Sequence, residues 1–251
     1  MSSDSEENTH FGFKSIPRSE KSARVADVFH SVAERYDVMN DLMSLGTHRV
    51  MKQMTANATH ARPGHTVLDL AGGTGDMAVI LAEYVGREGQ VCICDINGSM
   101  LVEGRNKLLN RGIIGNVTYV QADGEHLPFP AESFNAITIA FGLRNFTDKD
   151  AALRSMHLVL KPGGKLVVLE FSKPRNEFLK NAYKGFNSLW PKVGKMVTGD
   201  SDSYQYLVES IEMHPDQETL AGMIEEAGFS RVRVQDLVGG VAAIHEGIKP
   251  R

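Results

Sequence analysis

The chain has 251 residues, 42% hydrophobic and 23% charged, with Lys+Arg 27 against Asp+Glu 31 and a formal net charge of −4. That length suits one sizeable core with additions better than two domains, and the near-neutral balance excludes the basic footprint of a nucleic-acid binder. No apolar run approaches the ~18–20 residues of a membrane-spanning helix, and the acidic, serine-rich start from Met1 to Asn8 matches neither a secretion signal nor a mitochondrial presequence. A cytoplasmic location is expected.

Residues 1–22 read as a polar, mobile arm with a Phe11-Gly-Phe13 island. A helical cap follows over 23–62. Its first helix repeats Val25, Val28, Phe29 and Val32 at three and four, and a second helix near His48 to His60 is stopped by Pro63-Gly64. Met39, Met43, Met51 and Met54 either pack this cap onto the core or form an adaptable wall for an apolar substrate.

The main domain, 63–251, opens with Thr66-Val-Leu-Asp-Leu-Ala-Gly-Gly-Thr-Gly-Asp76, written like a buried strand, a tight turn and a covering helix. Met77, Ile80, Leu81 and Tyr84 line one face of that helix, and Gly86 closes it. Strands at 90–96, 117–123, 134–141 and 165–171 alternate with helices at 99–110 and 148–160, and Lys161-Pro-Gly-Gly164 is a sharp turn into the 165–171 strand. Nearly continuous apolar strands between helices mean a parallel sheet covered on both faces. A helical insertion at about 175–214 carries Tyr183, Phe186, Trp190, Tyr204 and Tyr206. The last covering helix, 217–227, lies between Asp216 and Gly228, and strands 231–238 and 241–245 joined by Gly239-Gly240 form an antiparallel hairpin. Cys92 and Cys94, two apart on a strand, read as reduced core residues; they are too few for a zinc site, and no metal-ligand cluster is seen.

The glycine run Gly72-Gly-Thr-Gly75 is neither the spaced pyrophosphate fingerprint nor a phosphate loop. Asp95, about twenty residues on at the end of the second strand, is placed to accept both hydroxyls of a ribose. Asp123-Gly124 ends the third strand beside the same crevice and suits an adenine amino group. An NAD-dependent oxidoreductase is disfavoured, because the glycine spacing differs and NAD domains usually lack a terminal hairpin.

Leu68-Asp-Leu-Ala-Gly-Gly-Thr-Gly-Asp76, Asp95 and Leu160-Lys-Pro-Gly-Gly164 resemble class I S-adenosylmethionine-dependent methyltransferases. Phe29-His-Ser-Val-Ala-Glu-Arg-Tyr-Asp-Val-Met-Asn-Asp-Leu-Met43, Phe141-Gly-Leu-Arg-Asn145, Leu169-Glu-Phe-Ser-Lys-Pro174, Tyr204-Gln-Tyr-Leu-Val-Glu-Ser-Ile211 and His214-Pro-Asp216 narrow the likeness. Together they resemble the ubiquinone/menaquinone biosynthesis C-methyltransferase family (UbiE/MenG type), from about Thr9 to Lys249.

The resemblance implies a Rossmann-like α/β fold whose mostly parallel, seven-stranded sheet ends in an antiparallel strand. It implies S-adenosyl-L-methionine as cofactor and methylation of a ring carbon of a polyprenylated benzoquinol or a demethylmenaquinol. Cofactor contacts fall on Gly72, Gly73, Thr74, Gly75, Asp95, Asp123, Gly124 and Ala140, where Ala140 replaces a frequent Ser and keeps only backbone contact. A ring carbon attacks the methyl group when a hydroquinone hydroxyl ionises, and a donor must then stabilise the phenolate. Arg144 and Asn145 are assigned that role, with Arg144 binding oxygen or polarising a water; the bland alternative pairs Arg144 with Asp148. His214 and Glu170 are weaker base candidates. The cap and the insertion are expected to enclose the ring and lead the prenyl tail outward, with peripheral membrane contact at most. Contacts with other quinone-biosynthesis enzymes and a homo-oligomer remain open, as do a same-fold methyltransferase for another lipophilic small molecule and a non-catalytic member of a quinone-synthesis complex.

Overall fold

The computed structural model describes residues 8–32, 41, 44, 46–177, 179–181, 185 and 202–251. Met39, Met43, Tyr183, Phe186 and Trp190 lie outside them.

The main sheet grows from apolar runs that bury both faces. Strands β3 (Thr66–Leu70), β4 (Gln90–Asp95), β5 (Val117–Gln121), β6 (Phe134–Ala140) and β7 (Leu160–Phe171) pair in parallel. Strands β8 (Ser230–Leu237) and β9 (Ala242–Ile248) complete seven in the order β5-β4-β3-β6-β7-β9-β8. The turn through Gly239 (φ 65) and Gly240 (φ 93) reverses the chain, so β9 slips between β7 and β8, antiparallel to both. The expected closing hairpin is present.

Alternation along each strand divides the sheet residues between two cores. Leu68, Leu70, Cys92, Cys94, Ile137 and Ile139 face helices α5 (Lys149–Val159) and α7 (Gln217–Glu226), through Ala152, Leu153, Met156, Leu220 and Ile224. Val67, Val91, Ile93 and Ala136 face α3 (Asp76–Val85) and α4 (Gly98–Asn110), through Met77, Leu81, Leu101 and Leu108. Helix α2 (Thr47–Ala58) adds Ala56 to this second core, so α3 is buried on more of its circumference than the expected stripe. Met51 of α2 is buried with Val167, Leu169 and Ile244, and the partly buried Met54 packs against the same cluster. Both cysteines are buried and free, and desolvation pushes the Cys94 thiol up to about 12.

Helix starts follow their capping side chains. Asn97 Oδ1 accepts from the amides of Ser99 and Met100, Asp148 from Ala151, and Asp216 from Thr219.

Two expectations are corrected. Residues 8–17, read as part of an arm, form a hairpin of β1 (Asn8–Phe11) and β2 (Lys14–Pro17) that runs directly into α1 (Arg18–Val32). Polar composition concealed it because its burial is one-sided: Ile16 is buried and Phe13 exposed. The turn at Lys161–Gly164 lies within β7, where pairing with β6 shifts register between Phe134 and Ala136 and Gly163 adopts φ 78.

Met156 is fully buried between α5 and the sheet. Truncating it to alanine is expected to cost about 2–5 kcal/mol, read as a lower urea midpoint; an unchanged midpoint contradicts this packing.

Candidate active site

Strands β4 and β6 flank β3, and the chain leaves the ends of β3 and β6 in different directions. A crevice is required where such connections diverge, and a partly open cavity lies there. Its floor is Ala71 and Gly73 after β3, and Phe141 and Gly142 after β6. Ala71 (φ 50) and Phe141 (φ 57) hold left-handed conformations that non-glycine residues rarely adopt. A Cβ on Gly142 would lie 2.5 Å from that of Ala71, so the two turns meet at a point only glycine permits.

Charge within the cavity is one-sided. Asp95, Asp123 and Glu125 line it, with no lysine, arginine or histidine among the lining residues. A pyrophosphate would meet three acids and no basic side chain among these residues, whereas a cationic ligand with hydroxyls would find acceptors. Burial raises the pKa of Asp95 despite amides donated by Gly73 (2.9 Å) and Asn97 (2.8 Å). Each of its oxygens thus bonds one amide and has lone-pair capacity left.

Of the sequence-predicted cofactor residues, Gly73, Asp95, Asp123 and Gly124 line the cavity, and Gly72, Thr74, Gly75 and Ala140 stand behind its wall. A Cβ on Gly72 would strike Ile93 at 2.7 Å and Asp69 at 2.9 Å, and one on Gly75 would strike Leu108 at 2.7 Å. Thr74 turns away from the cavity, its hydroxyl accepting from Lys107 Nζ at 3.2 Å. Lys107 and Lys52 both pair with Asp76 at 2.7 Å; against the desolvation of burial, they hold its carboxyl far below the usual range. Ala140 packs between the α2–β7 and α3–α4 clusters.

Under the glycine turn lies Asp69, buried, with Oδ1 accepting from Thr138 Oγ1 at 3.1 Å and Oδ2 without a hydrogen-bond partner. Desolvation pushes it up to about 7, the Thr138 bond opposing.

Asn145 lines the cavity and Arg144 does not. The Arg144 guanidinium turns inward, its Nη1 bonding Glu170 Oε1 at 2.9 Å and the carbonyl of Phe141, while its backbone amide donates to Glu170 Oε2 at 3.1 Å. Arg144 and Glu170 side chains are 2% and 1% exposed. The suggested pairing with Asp148 is corrected: Asp148 caps α5 and pairs with Arg18 at 3.0 Å. Neither weaker base candidate lines the cavity. Glu170 is held by Arg144, and burial, with Lys149 and Arg144 nearby, keeps His214 well below its ordinary pKa. Among the described residues, no group of three His, Cys, Asp or Glu is placed to hold a metal.

The roof is α1, through Ser22, Val25, Ala26 and Phe29. Asn97 Nδ2 donates to the Ala26 carbonyl at 3.1 Å and Lys21 Nζ to that of Phe146 at 3.0 Å, tying the roof to loops on both sides of the crevice. Desolvation, with Lys149 beside it, lowers Lys21 to about 8. The helical spacing of Val25 and Phe29 was legible, but not the surface it covers. The wall residues Ile96, Met100 and Phe146 carried no local signal beyond following a strand end.

A family profile described as the ubiE/COQ5 methyltransferase family matches residues 18–249. The ubiquinone/menaquinone biosynthesis C-methyltransferase UbiE of Cellvibrio japonicus (strain Ueda107) is 58% identical over 243 residues, covering 96% of this chain and 98% of that one. Among solved structures, a SAM dependent methyltransferase from Aquifex aeolicus superposes with a TM-score of 0.59 at 19% identity, over 78% of this chain and 88% of its own. A phosphoethanolamine N-methyltransferase 2 from Haemonchus contortus, in complex with S-adenosyl-L-methionine, gives 0.57 at 16% identity, over 76% of this chain and 50% of its own. At such identities the two structures speak for the fold.

Replacing Arg144 by alanine strands the Glu170 carboxylate and is expected to cost about 3–5 kcal/mol. Adding Glu170→Gln is expected to recover part of that in denaturant titrations, and a double variant no more stable than the single contradicts the pairing. Asp69 has a folded pKa above its ordinary 3.8, so its stabilising contribution is full below that value and lost as pH rises through about 7. Asp69→Asn is therefore expected to flatten the fall in stability between pH 4 and 7. Parallel urea-midpoint profiles for the two proteins contradict it.

Proposed function

The chain belongs to the ubiE/COQ5 methyltransferase family, and from that premise we propose that it methylates a ring carbon of a polyprenylated benzoquinol, a demethylmenaquinol or both, in ubiquinone/menaquinone biosynthesis. Relatedness along nearly the whole chain supports the reading. The structural observation that carries it is the cavity at the β3/β6 divergence, acid-lined and, among the described residues, without a basic side chain.

S-adenosylmethionine, when bound, supplies a methyl group already activated by its sulfonium charge. The residues present fit that cation: three carboxylates face the cavity and glycines leave its floor open. In this reading Asp95 accepts the ribose hydroxyls, and Asp123 with Gly124 meets the adenine amino group. Gly72, Gly73, Thr74 and Gly75 shape the turn beneath, and Ala140 contributes backbone to the wall behind.

The chain's remaining task is to make the acceptor carbon electron-rich and hold it in line. Asn145 donates its amide to the ionised ring oxygen. Arg144 supports the developing phenolate from beside Asn145, its guanidinium fixed by Glu170 and itself holding the Phe141 carbonyl. Water takes the proton that leaves the ring carbon. The cap over 23–62 covers the ring; Val25, Ala26 and Phe29 in the roof support this. The prenyl tail runs outward from the ring to a peripheral encounter with the cytoplasmic face of the membrane. Among the described residues no helix is long and apolar enough to cross a membrane.

Incubation with labelled S-adenosylmethionine and each demethylated quinol, followed by mass analysis, is expected to place label on a ring carbon. Transfer to neither ring defeats the reading. Asp95→Asn, nearly isosteric, is expected to weaken cofactor binding roughly tenfold or more in calorimetry, in line with the strength of bonds to a charged acceptor; unchanged affinity removes Asp95 from the site.

A further inference from the structure

Helix α6 (Asp202–Met213) carries the buried Tyr206, whose hydroxyl lies 3.1 Å from Oδ1 of the cavity-lining Asn145. Burial, against the opposing Arg144 charge, raises the Tyr206 pKa far above its ordinary value, so the phenol keeps its proton and donates. With Oδ1 engaged as acceptor, the amide NH2 of Asn145 is left as a donor. The other amide side chain lining the cavity, Asn97, is already spent on the Ala26 carbonyl and on capping α4.

The ring of Tyr206 is itself held. Phe11 of β1 stacks on it at 4.3 Å and 21°. One turn further along α6, Glu209 Oε2 accepts the Phe13 amide at 3.0 Å. Between them Gly12 (φ 58) presses on Glu209 so closely that any Cβ would collide with the carboxylate. The hairpin β1–β2 thus grips α6 at two points one helical turn apart, and α6 grips Asn145. No other residue among those described makes a side-chain hydrogen bond to Asn145.

We propose that Tyr206 is a positioning residue for methyl transfer: it fixes the Asn145 amide so that its NH2 faces an anionic ring oxygen of the acceptor, with the stacked Phe11 fixing Tyr206. This rests on the reading that Asn145 meets the quinol. An amide free to rotate presents its carbonyl oxygen to the phenolate part of the time, which repels rather than stabilises it. Locking the acceptor end onto a permanent donor removes that alternative, and Tyr206 acts without touching substrate or cofactor.

The test is a double-mutant cycle on the full chain with Tyr206→Phe, which keeps the stacked ring and removes the hydroxyl, and Asn145→Ala. Each is expected to bind S-adenosylmethionine as the unaltered protein does, by calorimetry. Tyr206→Phe is expected to lower kcat about tenfold, as for the loss of one oriented hydrogen bond, with a smaller change in KM. In the Asn145→Ala background, adding Tyr206→Phe is expected to cost less than about twofold more, since coupled residues are non-additive. A Tyr206→Phe enzyme with full kcat beside an impaired Asn145→Ala enzyme overturns the inference alone, as do two losses that multiply. A fully active Asn145→Ala enzyme overturns the reading of Asn145 and this inference with it. Phe11→Leu gives a second route, leaving the hydroxyl in place but freeing its ring: a kcat reduced with cofactor affinity intact supports the chain of contacts, and an unchanged kcat removes Phe11 from it.

Discussion

Two adjacent strand ends that turn in different directions within van der Waals reach of each other constrain everything around the cavity. Ala71 after β3 and Phe141 after β6 both take left-handed conformations, and Gly142 lies where any side chain would overlap Ala71. Such backbone costs on the order of 1–3 kcal/mol per residue and persists only when its surroundings over-determine it. Here they do. The Phe141 amide donates to Leu169 at 2.8 Å on one side, and its carbonyl is taken by Arg144 on the other. The floor is rigid because it is strained and clamped, and a rigid floor is what an in-line reaction needs.

Arg144 and Glu170 illustrate why a buried ion pair cannot be valued by its distance alone. Desolvating two charges costs several kcal/mol per ion, and the attraction recovers this only when further hydrogen bonds share the load. Glu170 has those bonds: both oxygens are used by Arg144, and Oε1 also receives the Phe171 amide at 2.9 Å. The guanidinium additionally lies over the Phe171 ring at 5.5 Å. The result fixes the geometry of the 141–145 turn, a gain in definition more than in net stability.

Much of this was legible in the residues. Strand ends carrying Asp95 and Asp123, the glycine turn and the Gly239-Gly240 reversal each have a local cause, so apolar runs and turn chemistry located them. What escaped depends on contacts distant in sequence. Asp148, four residues from Arg144, was the alternative partner that sequence proximity offered; the actual partner is twenty-six residues away, on the neighbouring strand. Thr74 sat in a motif that suggested the cavity, yet Lys107, thirty-three residues on, draws its hydroxyl elsewhere. The hairpin at 8–17 eluded composition because its burial is one-sided and two of its contacts, Phe11 with Tyr206 and Phe13 with Glu209, lie nearly two hundred residues away on α6. Periodicity reports which face of an element is buried, never what buries it.

The one-sided charge of the cavity wall has a consequence for turnover. Transfer of the methyl group converts a sulfonium to a neutral thioether while leaving its size almost unchanged. The donor therefore carries one positive charge more than the spent cofactor, and a lining that, among the described residues, holds Asp95, Asp123 and Glu125 and no basic side chain favours it by that one charge. Under the proposed function, the loss of that charge on methyl transfer works against retention of the spent cofactor without any moving part.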